Sequence, residues 1–176
     1  MSLSLTSKFN RINFRQLLII ILLTNSCSII LSQETKSELK KLNFLIGNWK
    51  STSYNIITGD ESTGISSIGW ILNGKWLQWE FKSEMERGNV EVLTLINYNI
   101  EKGQYAFYSI NSENENILPH FGNWLNDTTL RLEIIENSQK IYVDFVLEEG
   151  GDFKQIHSKL ISKSRVLPMR ETFYIK

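Results

Sequence analysis

From Gly47 onward the chain alternates polar and apolar residues, and turn signals break that alternation every 8 to 12 residues. Successive side chains of a strand point to opposite faces, so each such segment carries one apolar face that must be buried. In KWLQWEFKS, Leu77, Trp79 and Phe81 share one face, while Gln78, Glu80 and Lys82 share the other. Leu130, Leu132 and Ile134 alternate with Arg131 and Glu133. Ile141, Val143, Phe145 and Leu147 do the same in the next segment. Asn73-Gly74 reads as a two-residue hairpin turn, and Gly150-Gly151 as another. Pro119 lacks a ladder donor and suggests an edge or a bulge. The rhythm yields about ten strands with short connections and no interval long enough for a βαβ crossover. The expected fold is all-β: an antiparallel up-and-down meander closed into a barrel, which removes the exposed edges of an open sheet. It occupies residues 37–176 as one domain.

The strands are preceded by SELKKLNFLI, residues 37–46. Leu39, Leu42 and Ile46 fall at i, i+3 and i+7, and Ser37 stands where a helix cap belongs. A helix this short is marginal alone, so its apolar stripe is expected to rest on the barrel.

The first 32 residues read as a targeting segment. Lys8, Arg11 and Arg15 give a basic start, LLIIILL an apolar centre, and TNSCSIILSQ a polar exit. The run from Leu17 to Leu31 is shorter and more interrupted than a membrane span of about 20 residues. Export with cleavage near Ser32 is the expectation, to a periplasmic or extracellular destination. Leu23-Thr24-Asn25-Ser26-Cys27 resembles a lipoprotein box, which makes a lipid anchor on Cys27 the alternative. Membrane contact is expected only through these residues.

Charge and composition exclude several functions. Lysine plus arginine and aspartate plus glutamate each number 19. Without the basic leader, 16 bases face 19 acids, so no basic face for nucleic acid is expected. One cysteine and two histidines, His120 and His157, leave no zinc or disulfide framework. Ser66 and Ser67 in GISSIG do not form a nucleophile elbow. Glu80, Glu91, Glu133 and Asp144 sit at polar strand positions and read as solvent-facing charges. The reading leans away from an enzyme, with no catalytic residues and no metal site assigned.

The stretch LNFLIGNW, residues 42–49, resembles the opening of calycin-type barrels, in which a short helix leads into Gly-x-Trp on the first strand. Lipocalins, fatty-acid-binding proteins and nitrobindins begin this way. GWILNGKWLQWEF, residues 69–81, is similar to the second block of an uncharacterised family of secreted bacterial domains with the same start. The resemblance covers roughly residues 40–125 and implies a calycin-like barrel enclosing a small apolar molecule. It also implies structural roles for Gly47 and Trp49, with Arg170 of the last strand stacked on the Trp49 indole. Nitrobindins hold haem through a last-strand histidine. Here the last strand has none, and His157 lies one strand earlier.

A small hydrophobic molecule is therefore the expected partner, and haem a minor alternative. The cavity candidates are Leu77, Trp79, Phe81, Leu130, Leu132, Phe145 and His157. The competing reading is a filled barrel that serves as an envelope structural or protein-interaction module, with Trp76 on an exposed face.

Overall fold

A computed structural model describes residues 33–85, 88–112, 117, 119–136, 138–162 and 165–176. Residues 1–32, read above as a targeting segment, and Cys27 among them, lie outside the described residues. Helix α1 covers residues 33–40 and tightens into a 3-10 turn at Lys41–Leu45. It therefore begins before Ser37, which sits inside the helix and does not cap it. The tightening also changes the buried stripe. A 3-10 turn has three residues per turn, so Leu39, Leu42 and Leu45 align and are buried, while Ile46 only packs against them.

Ten strands follow: β1 (Gly47–Asn55), β2 (Glu61–Ile71), β3 (Trp76–Met85), β4 (Gly88–Asn99), β5 (Gln104–Asn111), β6 (Pro119–Asn126), β7 (Thr129–Glu136), β8 (Gln139–Leu147), β9 (Phe153–Ser162) and β10 (Arg165–Ile175). Each pairs antiparallel with its sequence neighbours, and β10 pairs with β1, closing the barrel. Closure leaves Pro119 no edge to occupy. It stands at the first position of β6, where a missing donor is tolerated. The turn at Asn73-Gly74 is also longer than a two-residue hairpin. Ile71 pairs with Trp76, and Leu72 and Asn73 both adopt positive φ, so four residues leave the ladder.

The registers fix which face is interior. Trp49, Ser51 and Ser53 of β1 point inward, as do Leu77, Trp79, Phe81 and Ser83 of β3. The charged residues of the same strands face out. Lys82 pairs with Glu91 across β3 and β4 at 3.0 Å, and Arg131 grips Asp144 through two 2.7 Å hydrogen bonds.

The floor of the barrel is built where α1 meets the strand ends. Trp49 is 2% exposed, and its Nε1 donates to the Leu45 carbonyl at 2.8 Å. Trp70 Nε1 reaches Asn43 Oδ1 at 3.1 Å. Trp124 Nε1 donates to the Tyr105 hydroxyl at 3.0 Å. That hydroxyl in turn shares its proton between the carbonyl and the carboxylate of Glu38, each at 2.9 Å. Burial and the adjacent Glu38 carboxylate keep the Tyr105 phenol well above its ordinary range, so it acts as a donor at neutral pH. Three indoles thus fasten a helix that is too short to stand alone.

Candidate functional site

Above this floor the barrel is hollow. A cavity of about 320 Å³ lies between the aromatic layer and the end of the barrel away from α1. Its base is Trp79, Phe107, Phe145 and Tyr174, which pack edge-on or stacked at centroid separations of 5.5 to 5.7 Å. Trp79 cannot rotate freely, because its Nε1 donates to Ser66 Oγ at 3.0 Å. One wall, from β7 and β8, is apolar: Leu132, Ile134 and Val143.

The opposite wall is lined with hydroxyls: Ser53, Ser62, Ser83, Thr94, Ser109 and Thr172 from six consecutive strands, β10 through β5. Most have partners of their own. Thr172 donates to Ser53 at 3.0 Å, Thr94 and Ser109 lie 2.8 Å apart, and Ser83 donates to the Thr63 carbonyl at 2.9 Å. A hydroxyl keeps spare acceptor capacity after one such bond, so this wall can receive a polar ligand group at little cost.

The remaining polar groups are His120 on β6 and a cluster on β9 and β10. His157 pairs in register with Arg170, and Gln155 with Thr172. All four line the cavity. The Arg170 side of this cluster is solvent-exposed, at the end of β1 where it opposes Asn55. Among the described residues no aspartate or glutamate lines the cavity.

The His157 imidazole is screened from bulk water by the barrel wall, although part of its surface faces the cavity. Burial, with the nearby Arg170 charge, lowers its pKa to about 4. His157 is therefore neutral in the folded protein at pH 7. Its ordinary unfolded value is about 6.5, so the unfolded chain takes up this proton first. The stability contributed by a neutral His157 is complete above pH 6.5 and is lost as pH falls towards 4. The expected loss is about 2 kcal/mol between pH 7 and pH 4.5. Urea midpoints at the two pH values should separate less in His157→Gln than in the parent. Equal separations would show that this imidazole titrates normally. His120, on β6, is also lowered by burial.

Of the cavity candidates read from sequence, Trp79, Phe81, Leu132, Phe145 and His157 line the space. Leu77 and Leu130 do not; both are wholly buried in the floor cluster at 0% exposure. Arg170 does not stack on Trp49. It lies mid-way along β10, opposite Asn55 at the far end of β1, and Lys176, one residue past β10, places its Nζ 4.7 Å from the Trp49 ring. Gly47 opens β1, paired with Ile68: its φ of 147° favours glycine, and a Cβ there would press on Lys176 Cε at 3.2 Å. Trp76 faces outward, half-buried against Tyr108 at 5.8 Å.

The hydroxyl wall was missed. Its signal was present as serines at alternate positions on the face of Trp49 and Phe81, but polar residues on an interior face look like a broken pattern until a cavity explains them. The tripeptide Gly-Asn-Trp also occurs twice, at residues 47–49 and 122–124, and both tryptophans end in the floor.

No curated protein matches the chain. One family model does, over residues 34–156, a stretch that runs from α1 through the base of the cavity into β9 and stops one residue before His157. That match covers more than half of the sequence, and the chain belongs to the family described as protein of unknown function, DUF1579.

Proposed function

We propose that this protein is an exported, non-enzymatic, calycin-like barrel that binds a small, largely apolar molecule in its interior. The observation that carries the proposal is the cavity of about 320 Å³ held open above a packed aromatic floor. Ligand pockets are concave, mostly apolar and equipped with a few convergent polar groups, and this interior has that composition. A barrel serving only as a structural module would gain stability by filling such a space.

Several features support a binding role over catalysis. Five of the six wall hydroxyls are hydrogen-bonded to one another or to a carbonyl, and none of these bonds runs to an imidazole. Among the described residues no group of three or more His, Cys, Asp or Glu could hold a metal ion. Export rests on the pattern of residues 1–32. A mature mass starting near Gln33 would support it, and a diacylglyceryl mass on Cys27 would place the protein on a membrane instead.

The test of binding is a cavity-filling variant. The purified protein should take up the apolar fluorophore N-phenyl-1-naphthylamine with saturable emission. Val143→Trp, which fills the apolar wall, should reduce uptake at least tenfold. Equal uptake by both proteins, or none by the parent, would overturn the proposal.

A further inference from the structure

We infer that the cavity selects a compact amphiphile with a single acidic group, held body-down on the aromatic base with its acid against Arg170. This rests on the carrier reading above and names its ligand class. Among the described residues, Arg170 is the only lining side chain with a permanent charge, and no lining carboxylate balances it. Neither a salt bridge nor a hydrogen bond ties the Arg170 side chain to an acid among the described residues, whereas Arg131, Lys82, Lys140 and Lys154 all have carboxylate partners. A guanidinium presents a planar fork that fits a carboxylate in two-pronged fashion, and such a pair is stronger than neutral hydrogen bonds.

The register places the neutral His157 beside Arg170. It can add an N–H to the same anion without adding a second charge. A cationic ligand would meet Arg170 with nothing to offset the repulsion.

Orientation follows from the gradient along the axis. Arg170 lies four residues from Tyr174 on β10, and Tyr174 belongs to the aromatic base. At about 3.3 Å per residue and a barrel tilt of about 40°, that is roughly 10 Å of depth. The ligand body must fit this depth. A planar ring matches the edges of Trp79 and Phe145, since aromatic pairs prefer edge-on contact, and a rigid body also loses less entropy on binding than a flexible chain. An extended long acyl chain exceeds this depth.

The experiment compares four probes by calorimetry on the intact protein: trans-cinnamate, cinnamyl alcohol, cinnamylammonium and palmitate. Cinnamate should bind at least tenfold tighter than the alcohol, and the ammonium compound weakest of the three. Arg170→Gln should narrow the cinnamate-to-alcohol ratio to within about twofold. Lys82→Gln, on the outer face of β3, should leave the ratio as it was. Equal affinity for acid and alcohol in the parent, or an unchanged ratio in Arg170→Gln, overturns the acid inference and leaves the carrier reading standing. Palmitate binding more tightly than cinnamate overturns the compact-body inference. Failure of all four probes, together with failure of the naphthylamine uptake above, overturns the carrier reading itself.

Discussion

Truncating Trp49 to alanine should lower stability by about 3–5 kcal/mol, the usual cost of removing a buried large aromatic. Three losses coincide at this side chain. Its indole is 2% exposed and packs edge-on against Phe153 at 4.8 Å. Its Nε1 satisfies the Leu45 carbonyl at the end of the 3-10 turn, so the variant leaves that acceptor to find water in a closed floor. The Lys176 ammonium loses the ring face beneath it. Because the helix is fastened partly through this indole, the floor should loosen as well as weaken. Urea denaturation measures the effect as a lower midpoint. Trp76→Ala is the matched control: that ring is half-buried on the outer surface, and its loss should cost about 1 kcal/mol or less. Similar midpoints for Trp49→Ala and the parent would remove Trp49 from the role of floor anchor.

The architecture was legible in the sequence because it depends on period. Alternation over 129–136 and 139–147 states which faces are interior, and turn residues state where each strand stops. A meander needs no long-range information beyond that, apart from the β1–β10 closure that the edge argument supplies. The site was less legible, for two physical reasons. Strand alternation assigns residues to a face but not to a depth. Leu77 and Trp79 share a face, yet one is sealed in the floor and the other forms the base of the cavity. The second reason is end-to-end ambiguity on β10. Arg170 and Lys176 both point to the region of a basic partner for Trp49, and only the register with β1 decides that Lys176 is near and Arg170 remote. The same pairing that denies Arg170 the indole places it at the exposed end of the cavity. His157 became interpretable only once its face was fixed, because a one-residue slip would have sent it to solvent.

Gly122→Ala should be the most damaging single methyl in the barrel, at about 3 kcal/mol or more, the upper end of overpacking costs. A Cβ at this position would lie 2.1 Å from the Arg131 carbonyl oxygen and 2.6 Å from Leu132 Cδ2. The nearer obstacle is backbone, which cannot turn aside as a side-chain tip can. Strand β7 is also held from its far side, because Arg131 is locked onto Asp144 of β8 through two 2.7 Å bonds. The movement must therefore fall on β6, whose pairing with β5 covers four residues among those described and whose pairing with β7 is already interrupted near Trp124. Shifting β6 pulls Trp124 Nε1 from the Tyr105 hydroxyl, and with it the link to Glu38 of α1. It also displaces His120, two residues along, which lines the cavity. Gly69→Ala provides the contrast. That strand glycine has open space where its Cβ would go and no positive φ, so alanine there should be neutral or slightly stabilising through the unfolded chain. Thermal unfolding of both variants checks the pair. A Gly122→Ala melting temperature equal to that of Gly69→Ala would mean that β6 yields without cost, and that the close approach of β6 to β7 is not what shapes this side of the cavity.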